Sequence, residues 1–135
     1  MNRHEFDEIR AEFQAITLID DDNLLDMARE RPYLHSRYLN EYNKEILILH
    51  NMKSNLDKLF AKKYKDIKFD TKHAWNTKGE IENQIFGDDE YYNIKVEYDF
   101  QKTIVDFYSD AIDIIKSISF DIKNYTEYKM FLMGK

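Results

Sequence analysis

The feature that most constrains this chain is a seven-residue apolar rhythm between residues 39 and 60. Leu39, Tyr42, Ile46, Leu49, Leu56 and Phe60 recur at steps of 3, 4, 3, 7 and 4. Lys53 occupies one apolar slot, and Lys63 occupies the slot after Phe60. A 3.5-residue spacing held this long predicts a helix with a coiled-coil-like seam. From Tyr33 to about Ile67 no glycine or proline interrupts it. Such a helix is roughly 50 Å long at 1.5 Å per residue. It cannot bury its seam on itself, so it requires a second long helix or a neighbouring subunit.

A second helix is predicted over residues 91–118. Ile104, Phe107, Tyr108, Ala111, Ile115 and Ile118 form its apolar stripe, widened by Val105, Ile112 and Ile114. Asp106, Asp110 and Asp113 line the other side. Shorter helices surround these two. Phe6, Ile9 and Phe13 predict one over residues 3–15. In "TLIDDDNLLDMARE", Asp20, Asp21 and Asp22 offer an N-cap and negative charge for a second start. Pro32 interrupts that pattern and suits the first turn of a new helix. "FDTKHAWNTKGE", residues 69–80, reads as a loop. "EIENQIFG" reads as a short helix with Ile81, Ile85 and Phe86 inward, closed by Gly87. Asp88, Asp89 and Glu90 then open the next helix. Ser119 is a break or a continuation, and a C-terminal helix follows it.

Composition agrees. The chain is 43% hydrophobic and 15% aromatic, which argues against disorder. Three glycines and one proline supply too little turn chemistry for a sandwich or barrel. The expectation is an all-α fold in a single helical domain, residues 1–135. Residues 1–31 form N-terminal helices, 32–68 a long helix with a basic end, 69–90 a loop and short helix, and 91–135 a long helix and a C-terminal helix. There is no cysteine, so disulfide scaffolds and thiolate metal sites are excluded. The N-terminus is charged where a signal peptide would be apolar, and no run approaches a membrane span. A cytosolic protein without membrane contact is expected.

The formal net charge of −6 is unevenly distributed. Residues 1–52 carry net −5, residues 53–78 net +5, and residues 79–135 net −6. Lys58, Lys62 and Lys65 step by four and three and share one helix face; Lys68 and Lys72 extend it. Such a row tracks a phosphate chain and releases its counterions. Phe60, Tyr64, Phe69 and Trp75 are candidate stacking faces for unpaired bases, although Phe60 falls in the seam. The alternative is a solvated lysine face on a scaffold or adaptor that binds protein and not DNA. In that reading the row meets acidic helices of its own oligomer, such as the Asp106, Asp110 and Asp113 side.

Catalytic patterns are lacking. Adjacent carboxylates such as Asp20 to Asp22 rarely converge on one cation, so a metal-dependent nuclease is disfavoured against a capped helix start. His4, His35, His50 and His73 include no i, i+4 pair. No phosphate-binding glycine loop and no nucleophile elbow is present. The expectation is a non-enzyme without cofactor or metal. Phe120, Ile122, Tyr125, Tyr128 and Phe131 put apolar weight at the C-terminus, which suggests docking onto a neighbouring subunit.

"LHSRYLNEYNKEI" (34–46) and "VDFYSDAIDIIKSISFDIKNYTEYKMF" (105–131) resemble the UvsY family of phage recombination mediators. The patterns LxSxxLN and DFxxxAxDxIKSxxFxIK carry most of the likeness. "IFGDDEYYNIKVEY" sits where that family has an acidic break before its long C-terminal helix. The resemblance implies a helical, non-catalytic, cofactor-free protein that binds single-stranded DNA as a ring-like homo-oligomer of about six or seven subunits. It implies loading of a UvsX-like phage recombinase onto DNA covered by the phage single-strand DNA-binding protein, in the cytoplasm of the infected bacterium. It further implies oligomerisation through the C-terminal region. The family's DNA-contacting motif, Leu-Lys-Ala-Arg-Leu-like, matches Phe60, Ala61, Lys62, Lys63 and Tyr64. Lys63 takes the second basic place, while Ala61 stands where the first would be, so Lys58 and Lys62 compensate from adjacent turns. The DNA-binding set is therefore Lys58, Lys62, Lys63, Tyr64, Lys65, Lys68, Lys72 and Trp75.

Overall fold

The computed structural model describes residues 1–70 and 76–134. Among them are four helices and no strand: α1 (Arg3–Ile16), α2 (Leu24–Lys68), α3 (Lys78–Phe86) and α4 (Asp89–Leu132). No helix among the described residues is long and apolar enough to cross a membrane.

The short helices begin where side chains satisfy the free backbone N–H groups. At α1 the Asn2 side chain accepts from the Glu5 N–H at 2.8 Å, and Glu5 accepts from the Asn2 N–H at 3.2 Å. Thr77 and Glu80 build the same reciprocal box at α3. Gly87 ends α3 with its N–H on the Asn83 carbonyl at 3.1 Å. Its φ of −87° is open to any residue, so the glycine is not there for a left-handed turn. Asp88 follows and caps α4, accepting from the Tyr91 N–H at 3.0 Å.

Two expected boundaries are corrected. Pro32 does not start a helix; α2 begins at Leu24 and runs through it. A proline there leaves the Ala28 carbonyl without its helical donor. Both residues are exposed, so water can serve that carbonyl. Nor is there a separate C-terminal helix, because α4 continues unbroken past Ser119 to Leu132. The first half of the expected seam is shifted by one residue, whereas Leu56 further along is buried as expected. Leu34, Tyr38 and Glu45 are buried, while Leu39 is exposed and Tyr42 and Ile46 are only half-buried.

The helices pack as two compact units, Met1–Asn43 with Asp106–Lys135, and Lys44–Val105. The first unit packs α1 against residues 24–43 of α2 and residues 106–132 of α4. Phe107 receives Phe6 and Phe13 edge-on, with centroids 5.5 and 5.7 Å away. Tyr38 lies 5.1 Å from Phe13 and 5.9 Å from Tyr108. Ile115 and Ile118 of α4 are fully buried in the same unit. Each such isoleucine is worth roughly 1.5–3 kcal/mol of transfer free energy.

The second unit packs α3 and residues 89–105 of α4 against residues 44–68 of α2. Leu56, Ile81, Ile85 and Tyr91 form its buried centre, flanked by Leu59, Phe60, Tyr64, Ile67, Ile94 and Tyr98. At its other end Gln101 donates to the Glu45 backbone carbonyl at 3.0 Å and to the Glu45 carboxylate at 2.6 Å. Both side chains are buried, so the bonds offset their desolvation.

Candidate nucleic-acid interface

The basic end of α2 has two faces. Leu56, Leu59, Phe60, Tyr64 and Ile67 point into the core of the second unit. The opposite face carries Lys58, Lys62 and Lys65, all exposed, with exposed Lys68 closing the helix. Steps of four and three place the first three in a line. Among the described residues no ion pair engages any of these four lysines. Lys65 and Lys68 also meet the negative end of the helix dipole. The arrangement is a short track of mobile ammonium groups on a rigid support. It can bind a chain of phosphates by charge without fixed geometry.

Lys63 is placed differently. It stands about 100° around the helix from Lys62, on the rim of the core face. Its Nζ lies 3.0 Å from Asp88 Oδ1 and 3.0 Å from Glu90 Oε2, and its side chain is only 21% exposed. Hydrogen bonds to Glu90 and then to Asp88 raise its pKa above the ordinary lysine value. The Asp88 carboxyl is held below its usual value, first by the Tyr91 N–H and then by Lys63. The sequence carried a signal for this: Lys63 occupies the seam slot after Phe60.

The aromatic candidates separate as well. Tyr64 is half-buried, with its ring stacked on Phe60 at 6.3 Å and 28°. One of its faces is therefore taken. Lys72 and Trp75 lie outside the described residues. Phe69, directly after Lys68, is 71% exposed. It is the most open aromatic beside the lysine row among the described residues.

The C-terminal candidates divide by face. Ile122 and Tyr125 are half-buried and continue the inward stripe of Ile118. Tyr125 Oη donates to Asp21 Oδ1 at 2.5 Å, and Lys129 Nζ reaches Asp21 Oδ2 at 3.0 Å. These two bonds, that from Tyr125 being the stronger influence, lower the Asp21 pKa. Phe120, Tyr128 and Phe131 are 62%, 60% and 77% exposed.

The acidic run Asp20–Asp22 has dispersed tasks. Asp20 accepts from the Asp22 and Asn23 N–H groups at 2.9 and 3.0 Å and shapes the turn before α2, and Asp21 holds the end of α4. No group of three or more His, Asp or Glu side chains suited to a metal ion occurs among the described residues.

A family model described as "Recombination, repair and ssDNA binding protein UvsY" matches residues 12–135. Crystal structures of the recombination mediator protein UvsY of bacteriophage T4 share this fold. Its lattice type II form aligns with a TM-score of 0.79 at 21% identity, covering 98% of each chain. The lattice type IV form gives 0.77 at 18% identity over 93% of this chain and 97% of that one. The lattice type I form gives 0.77 at 21% identity over 92% and 98%. No curated protein sequence matches the chain.

Proposed function

The chain belongs to the UvsY family, and from that premise we propose that it is a recombination mediator that binds single-stranded DNA. Its task is to help load a phage recombinase onto DNA covered by the phage single-strand DNA-binding protein. The reading applies to the cytoplasm of an infected bacterium, where such DNA is exposed. The observation that carries it is the row of Lys58, Lys62, Lys65 and Lys68, exposed and without ion-pair partners among the described residues, in a chain of net charge −6. An acidic protein with one such row directs a polyanion to one place and repels it elsewhere. Phe69, and Trp75 by its position in the sequence, add faces for unpaired bases. Self-association into a ring-like homo-oligomer multiplies the row, and the exposed Phe120, Tyr128 and Phe131 are its candidate contacts.

The test is binding to a fluorescent oligothymidylate across a salt series. Affinity is expected at low salt and falls linearly in log–log form as salt rises. Absence of binding at low salt, or binding indifferent to salt, refutes the function and favours a protein-binding scaffold. Recombinase loading is tested by strand exchange on DNA pre-coated with single-strand binding protein.

A further inference from the structure

Lys63 lies in the same basic end of α2 as the exposed lysine row, yet two carboxylates of the same chain hold it. We propose that Asp88 and Glu90 act as an internal phosphate mimic that withholds Lys63 from the nucleic acid, so that DNA must displace them to gain this cation. The inference rests on the proposed single-strand binding and describes its regulation.

Three observations carry it. The ammonium makes two contacts of 3.0 Å to carboxylate oxygens, the geometry that a phosphate oxygen would also seek. The two partners differ in how firmly they are set. Asp88 is anchored as the α4 cap by the Tyr91 N–H at 3.0 Å, whereas Glu90 is 63% exposed on a flexible arm. The lock therefore has one fixed and one releasable side. Finally, Lys63 lies on the same stretch of helix as the exposed row, and a lysine arm freed from Glu90 can swing toward Lys62. Wild-type protein accordingly binds with the row alone at low DNA occupancy of Lys63.

The experiment is a double-mutant cycle on oligothymidylate binding, read by fluorescence anisotropy over a salt series. Glu90→Gln frees Lys63 and is expected to tighten binding about two- to five-fold, the range of an exposed ion pair. It also steepens the salt slope by about 0.7, one further phosphate contact. Asp88→Asn keeps the cap, since asparagine serves as well, and tightens binding in the same direction. In a Lys63→Gln background Glu90→Gln is expected to lose this effect. Asp89→Asn, which removes the same charge from a residue that does not contact Lys63, sets the baseline for general electrostatics. If wild type binds with salt dependence but Glu90→Gln matches Asp89→Asn, or tightens equally without Lys63, the lock is refuted and the function stands. If wild type does not bind at all, function and lock fall together.

Discussion

Replacing Lys58, Lys62 and Lys65 together with glutamine removes the row while leaving its support intact. The three side chains are exposed and no ion pair engages them among the described residues, so each is available to one phosphate. On single strands each neutralised phosphate contributes about 0.7 to the slope of log affinity against log salt, so the slope falls by about 2. The same relation makes the loss of affinity about 500-fold at 50 mM salt and about 30-fold at 200 mM. Glutamine has nearly the helix propensity of lysine, so α2 persists. Only Lys65 lies in the last turn, where losing its charge against the helix dipole costs about 0.3–1 kcal/mol. The assay is anisotropy with oligothymidylate at several salt concentrations, beside far-UV circular dichroism and thermal melting. Retained helicity with a flattened slope is the expected pair of results. An unchanged slope in a folded triple variant means that the phosphates are held elsewhere, and the argument from free lysines fails.

Gln101→Leu leaves the buried Glu45 carboxylate without its Gln101 donor, while the Glu45 carbonyl keeps its helical bond, and is expected to cost about 1–3 kcal/mol in urea denaturation. An unaltered midpoint excludes a stabilising role for that pair. The depressed pKa of Asp21 means that its tie to Tyr125 and Lys129 contributes stability above the ordinary carboxyl pKa of about 4. That contribution is lost as pH falls through the lower folded value; Asp21→Asn should therefore flatten the melting temperature profile below about pH 4. A variant with the wild-type acid profile would show that the tie is unimportant. Phe120→Ser with Phe131→Ser changes two exposed side chains, so it should lower the mass by light scattering while leaving the melting curve of the protomer fold intact. An unchanged mass assigns self-association to another surface.

Much of the architecture was legible in the sequence. The 3.6-residue stripes, the scarcity of glycine and proline, and the Asp88 cap all act within a few residues of themselves. The caps at Asn2 and Thr77 are equally legible as N-x-x-E and T-x-x-E, since each closes within three residues. Pro32 misled because local chemistry favours a helix start, while the exposed backbone of this helix tolerates the missing bond. Only the first half of the seam lies one residue off, at Tyr38 instead of Leu39, because these neighbouring positions are both apolar and lie only 100° apart on the helix, while Leu56 is buried as its spacing indicates. Tyr38 is chosen by Phe13 and Tyr108, which come from distant parts of the chain.

The candidate site divides along the same line. Sequence alone determined the helical class, the seven-residue rhythm, and the basic island between acidic flanks, since spacing and charge are properties of the string. Only tertiary structure decided which lysines remain available. Lys58, Lys62 and Lys65 face water, while Lys63 meets Asp88 and Glu90, more than twenty residues away. It likewise decided that Tyr125 turns inward to Asp21 while Phe120 and Phe131 stay exposed. The physical reason is the same in each case: a charge or ring is engaged or free according to what the fold brings within about 3–6 Å of it, and side-chain spacing along one helix does not contain that information.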